Sequence, residues 1–257
     1  MWNRDQVRPW APLFLGLLLL AAPASAVEKP RCDLTVAEEV RAVAIVNGTT
    51  FDTADGRRVR LSALQAPTTS PFGTHAKDRL TALLAGKAVG LAFADSGADR
   101  HGRLLAHVFV DGEWIQSALI AEGLARVATR LDMRRCSPAL LADEAAARAA
   151  KRGLWNDPAY AVRSPNNLDA DIGTFQIVEG RVMSAKVGRD RTYLNFGPDY
   201  RTDFTATIAR RDAMRMAKEG ASPETYQGKT IRVRGWLTRL NGPELEVTHR
   251  EQIELPE

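Results

Sequence analysis

The run Asp99-Arg100-His101-Gly102-Arg103-Leu104-Leu105-Ala106-His107-Val108 decides how the rest of the chain reads. Four polar or flexible residues give way at Arg103 to a run of mostly apolar residues that continues to Val110, which reads as a strand. Ala88 to Asp95 reads as another strand just upstream. Farther upstream, Val40 to Val46, Thr49 to Thr53 and Arg57 to Leu64 are separated by Asn47-Gly48 and Asp55-Gly56, the kind of turn pair that joins adjacent strands. A helix falls between the third and fourth strands: Thr74 is its candidate cap, Leu80, Leu83 and Leu84 share one face, and Gly86 ends it. Downstream, Ile115, Leu119 and Ile120 recur at helical spacing until Gly123. Ser137-Pro138 then offers a cap and a first-turn proline for an alanine-rich helix that stops at Gly153.

Three strands, a helix and two strands is the order of an OB barrel, a small closed sheet often used for nucleic acids and sugars. Residues 40–157 are therefore expected to form an OB-type five-stranded barrel with three helices. Residues 158–173, with Pro158, Pro165 and Asn166-Asn167, read as a linker after which helix-period patterns nearly vanish. Within residues 174–257, short strand-like runs at 176–182, 192–197, 203–208, 230–237 and 245–248 surround one helical interval, Arg211 to Glu219. Asn241-Gly242 supplies a hairpin turn between the last two. The order is again OB-like, so the fold class is mainly β with helices (α+β), two OB-type barrels in series. Tyr193, Phe196, Phe204 and Trp236 interleave with Arg181, Arg191, Arg232 and Arg234. That mixture either presents a stacking face for single strands or places Phe196, Phe204 and Trp236 in the core; burial statistics favour the core.

Arg4 and Arg8 precede an uncharged, largely apolar segment from Ala11 to Ala22 and the small residues Ala24-Ser25-Ala26. This is the pattern of a secretory signal peptide over residues 1–26, followed by an N-terminal segment over 27–39. The expectation is an exported protein, periplasmic or secreted, with no membrane span once the leader is removed, because crossing hydrocarbon takes about 20 apolar residues. Cys32 and Cys136 are the two cysteines of the chain, and an oxidising compartment predicts a disulfide between them. The four histidines show no ligand spacing for zinc. Losing two cations and one anion with the leader takes the formal net charge from +4 to +3. Lys and Arg outnumber Asp and Glu by 19 to 16 over residues 27–164 but stand at 14 to 14 over residues 165–257. Any field that attracts a polyanion belongs to the first part.

Taken with Asp111-Gly112, Ala118-Leu119-Ile120, Gly123-Leu124-Ala125-Arg126-Val127 and Arg152-Gly153-Leu154-Trp155, the opening run resembles the staphylococcal nuclease (thermonuclease) family over about Val40 to Trp155. The stretch Val59-Arg60-Leu61-Ser62-Ala63-Leu64-Gln65-Ala66-Pro67-Thr68 resembles that family's active-site strand. The resemblance implies hydrolysis of DNA or RNA phosphodiesters with one calcium ion. It also implies two arginines clamping the phosphate, which fall here on Arg60 and Arg103. Guanidinium suits that task because its planar fork donates two charge-assisted bonds and never deprotonates.

The acids are absent. The family's calcium aspartates align with Thr49 and Gln65, and the glutamate near its attacking water aligns with Thr68. Calcium takes six to eight oxygens, and affinity depends on how many are charged. Neutral oxygens beside two arginines predict no calcium and no cofactor. Loss of acid-base help, typically 10²–10⁴-fold, compounds this. His101 stands at the family's usual tyrosine, and Arg126 and Arg130 extend a cationic surface. The sequence is thus expected to encode a catalytically degenerate nuclease domain that binds single-stranded nucleic acid or another polyanion. The alternatives are an active nuclease with a rearranged or absent metal site, using Asp52, Asp78 or Asp99, and a protein-binding envelope scaffold.

Overall fold

The computed structural model describes residues 32–93 and 97–256. The expected leader and the start of the N-terminal segment lie outside them. The first sheet contains β1 (Glu38–Asn47), β2 (Thr50–Thr53), β3 (Arg58–Leu61), β5 (Ala88–Ala92), β6 (Leu104–Val110) and β7 (Glu113–Trp114), while β4 (Leu64–Gln65) and β8 (Arg126–Val127) pair separately. Its pairing order is β3-β2-β1-β5-β6, and a parallel pairing of β3 with β6 closes the ring into a five-stranded barrel. Helices α1 (Phe72–Leu84), α2 (Ile115–Ala121) and α3 (Ser137–Ala149) accompany it. Phe51, Val59, Leu61, Leu91, Val108 and Leu119 belong to one buried core shared by barrel and helices.

Two of the glycine-bearing motifs meet in space. Gly123 and Gly153 both take positive φ, and Leu154 N–H donates to Gly123 O at 2.9 Å. A Cβ on Gly123 would stand 2.2 Å from Arg152 O, so the end of α2 and the segment after α3 approach only as glycines. Gln116 docks α2 onto β6, accepting from Val108 N–H at 3.0 Å and donating to Ala106 O at 2.9 Å. The α1 start differs from expectation. The helix begins at Phe72 after Pro71, and the Thr74 hydroxyl bonds Ser70 instead of capping. Proline is tolerated there because an N–H at that end has no intrahelical partner.

The second sheet contains β9 (Phe175–Arg181), β10 (Ser184–Val187), β11 (Arg191–Asn195), β12 (Thr205–Ala209), β13 (Thr230–Leu240), β14 (Gly242–Glu246) and β15 (Ile253–Glu254), with α4 (Arg210–Lys218) between β12 and β13. Strand β9 pairs with β13 and β10 with β11. Counted separately, these arms leave a half-barrel; taken as one strand bent at Val182–Met183, they give pairings that circle in the same order as the first barrel, including a parallel β12–β14 pair. Phe196, Phe204, Leu194, Ile231, Leu237 and Leu245 fill a separate core. The connection between the sheets is packed. Arg163 N–H donates to Ile177 O at 2.8 Å, and Leu168 is buried in the second core.

The two halves are joined by ionic and covalent contacts. Arg234 of β13 donates to both oxygens of Glu144 on α3, at 3.0 and 2.9 Å, and to Val127 O at 3.0 Å, while also meeting Glu254. Glu254 in turn pairs with Arg148 of α3 at 2.8 Å. Thr129 Oγ1 and His249 Nε2 lie 2.7 Å apart. Cys32 and Cys136 form the expected disulfide, with Cα atoms 5.1 Å apart, inside the usual range.

Candidate functional site

The parallel register of β3 with β6 sets Arg60 opposite Leu105, which brings Arg103, immediately before β6, beside Arg60. Burial and the neighbouring Arg103 charge push the Arg60 pKa down, partly countered by Asp99, though a guanidinium stays charged. Among the described residues no carboxylate lies within ion-pair distance of Arg60, and its Nη1 donates to Thr49 Oγ1 at 3.3 Å. Arg103 is held differently: Nε and Nη2 both reach Asp99 Oδ2, at 2.7 and 2.6 Å. Burial raises the Asp99 pKa, but donation from Arg103 and from the His101 N–H outweighs it and holds the carboxyl at about 2. Asp99 is thus a fixed anion that orients Arg103, a role the residue pattern concealed.

Among the described residues, the corner positions that the resemblance gives to the calcium ligands carry only neutral oxygens beside the Arg60 guanidinium, and the nearby Asp99 is committed to Arg103. Thr49 is buried, and its hydroxyl and backbone N–H both point to Asn47 Oδ1 at 3.0 Å. The Gln65 amide nitrogen donates to Ala66 O at 3.1 Å. Thr68 is exposed on the loop before α1. Among the described residues no group of three or more His, Cys, Asp or Glu side chains could hold a metal ion. A divalent ion here would meet uncharged oxygens and the Arg60 guanidinium, so the donor set does not fit calcium. Asp52 of β2 is bonded to Arg58 of β3 at 2.6 Å, and Asp78 is exposed on α1.

A cleft of about 920 Å³ opens from this corner. Arg60, Gln65, Asp99, His101, Arg103 and Arg130 line one wall, and Arg191, Trp236, Arg239, Leu240 and Glu244 of the second sheet line the other. Arg130 is exposed and paired with Asp132 at 2.9 Å. His101 is exposed and accepts at Nε2 from Arg100 at 3.1 Å. Arg126 departs from expectation, because it is buried outside the cleft. Its guanidinium lies over the rings of Tyr160 and Phe175, at 5.4 and 5.1 Å, and burial lowers its pKa to about 10. β8 pairs with β4 and runs under the second sheet, which turns this side chain inward.

On the second-sheet wall the core alternative favoured by the sequence fails at one residue. Phe196 and Phe204 are core, as burial statistics favoured, but Trp236 is 56% exposed. The signal was present in the alternation of β13: Ile231, Val233 and Leu237 point inward, so Arg232, Arg234, Trp236, Thr238 and Leu240 share the outer face.

Residues 58–157 match the family model described as Staphylococcal nuclease homologue. They form a staphylococcal-nuclease-like domain. Over 93 residues the chain is 37% identical to endonuclease YncB of Bacillus subtilis (strain 168), covering 35% of this chain and 44% of that protein. It is also 37% identical over 93 residues to the SPbeta prophage-derived endonuclease YokF of the same organism, covering 35% of this chain and 31% of the relative. A probable staphylococcal-like nuclease of Oryza sativa subsp. japonica is 32% identical over 99 residues, 38% of this chain and 28% of its own length. The chain therefore spans less than half the length of these relatives. A nuclease-like domain is suited to nucleic acid, and among the described residues no helix is long and apolar enough to cross a membrane.

Proposed function

We propose that this is an exported thermonuclease-like protein whose first barrel binds nucleic acid or another polyanion without calcium-dependent cleavage. One observation carries the reading: the hydroxyl of Thr49, the position to which the resemblance assigns a metal-binding carboxylate, accepts from Arg60 at 3.3 Å. A phosphate arriving there finds an arginine with no carboxylate within ion-pair distance among the described residues, beside a second arginine oriented by Asp99. Phosphate binding at such a fork is strong because both partners are charged. Hydrolysis is a separate matter. With Thr68 in the base position, no side chain at that place can take a proton from water near neutral pH. The Cys32–Cys136 disulfide and the leader pattern support an oxidising, extracytoplasmic location.

The test incubates the purified chain with single-stranded DNA and calcium and follows both retention and cleavage. Binding that weakens with salt, with no turnover above buffer, is the expected result. Calcium-dependent turnover abolished by Arg103→Ala overturns the reading in favour of an active nuclease, the activity that the names of the Bacillus relatives carry. Absence of binding to any polyanion, with capture of a protein partner that salt does not release, favours the scaffold instead.

A further inference from the structure

We propose that the second barrel completes the site by stacking the bases of a single-stranded nucleic acid whose phosphates lie on Arg60 and Arg103. This deepens the reading above and rests on it. The two sheets face one cleft, so a strand held on the first wall lies against the outer face of β13. That face exposes Trp236 at 56% and Leu240 at 61%, a large apolar surface left open on a strand whose other face is core. Phe175 braces Trp236 edge-on, with ring centroids 6.2 Å apart, which fixes the indole as a platform.

The surface continues. A second hollow of about 290 Å³ shares Leu240 and Glu244 with the first and adds Tyr193 and Tyr200, the latter 54% exposed. Aromatic rings thus recur along the outer face of the sheet, with Lys186, Arg191 and Arg239 between them.

Charge selects the occupant. Seven arginines line the main cleft against three carboxylates. Arg234 is committed to Glu144 and Glu254, Arg103 and Arg191 cancel Asp99 and Glu244, and Arg130 pairs with Asp132, which leaves Arg60, Arg100 and the rim Arg239 against Glu246 and a modest cationic balance. Arg239 meets Asp169 only at the exposed rim. A cationic channel with aromatic rings on one wall fits unpaired bases, whose flat faces can stack regardless of sequence, better than a uniform polyanion or a duplex.

Fluorescence anisotropy with the full chain decides the matter, using a labelled 20-nucleotide oligothymidylate, an abasic strand of the same length and a duplex. Oligothymidylate should bind more tightly than the other two. Trp236→Ala should weaken oligothymidylate by about 5- to 150-fold, one base stack, while leaving the abasic strand within twofold. Arg103→Ala should weaken both. Bound oligothymidylate should also quench tryptophan emission in the native chain and much less in Trp236→Phe, a change too small to unfold an exposed position. Equal binding of all three probes overturns the inference, as does an unchanged oligothymidylate affinity in Trp236→Ala; in both cases the Arg103→Ala loss leaves the first-barrel reading standing. If the native chain binds none of the probes, both readings fall together.

Discussion

Arg60 and Arg234 lie on strands of two barrels with the same pairing order, and they are solved in opposite ways. Arg234 is buried completely, and Glu144 and Glu254 raise its pKa well above the ordinary value against the cost of desolvation. Arg60 is half-buried, repelled by Arg103, and has a hydroxyl for a partner. Removing two charges from water costs several kcal/mol per ion, so a buried arginine normally keeps its carboxylates. Where they are missing, the cation is open to an anion from outside. The contrast separates a guanidinium that fastens the two halves together from one that faces a ligand.

Reinstating the acids is the strongest way to break that contrast. The triple change Thr49→Asp, Gln65→Asp and Thr68→Glu should restore calcium uptake and raise cleavage of single-stranded DNA by about 10²–10⁴-fold. Calorimetry with calcium and a nuclease assay check it, and a triple variant that binds calcium no better than the native chain shows that the missing carboxylates are not what keeps the ion out. Next in size is Glu144→Gln, which leaves Arg234 and Arg148 short of a buried anion. It should cost about 3–5 kcal/mol. Urea titration checks this; a loss below about 1 kcal/mol would mean that Glu254 alone satisfies Arg234.

Two buried histidines offer a pH test of the interface against the interior. His249 bonds Thr129 across the two halves, whereas His107 is buried on β6 beside Trp114, with neither ring nitrogen bonded among the described residues. Burial lowers both to about 4, helped at His249 by Arg134 and Arg215 and opposed by Asp212 and Asp132. At pH above about 6.5 both folded and unfolded chains hold neutral imidazoles, and no cost arises. As pH falls from 6.5 toward 4, only the unfolded chain takes the proton, so stability drops, by about 2 kcal/mol per histidine at pH 5. Urea midpoints at pH 7 and pH 5 should separate accordingly, and His249→Gln should remove about half of the gap. Equal midpoints for the native chain would mean that both rings protonate in place.

The ring of five strands with its helices was legible because turn pairs and apolar runs are local signals. The Gly123 and Gly153 motifs read as family features, and the structure gives their cause: they touch. What escaped was non-local. Arg126 sits among basic residues in sequence, yet the second sheet covers it, and nothing within ten residues announces a neighbour at Phe175. The arm β10 is not among the runs read from the sequence, because the strand bends after Val182 to a new partner. Trp236 was legible by parity alone, but its aromatic character suggested core. The disulfide followed from compartment and count, since two cysteines leave one pairing.

The smallest effect bears most directly on the contrast. Arg60→Gln keeps a donor to Thr49 and removes a charge that burial disfavours, so stability should change by no more than about 0.5 kcal/mol. Binding should still suffer, because a phosphate loses its charged partner: oligothymidylate affinity should fall about tenfold, or about 1.4 kcal/mol. The slope of log affinity against log salt should shrink by about 0.7, one phosphate contact on a single strand. Arg234→Gln must behave in the reverse manner, losing stability first, because Glu144 and Glu254 would be left to share Arg148 alone. Anisotropy over a salt series with parallel urea titrations reads both quantities for both variants. If Arg60→Gln destabilises the chain as much as Arg234→Gln does, Arg60 holds the fold together as Arg234 does, and the distinction between the two arginines collapses.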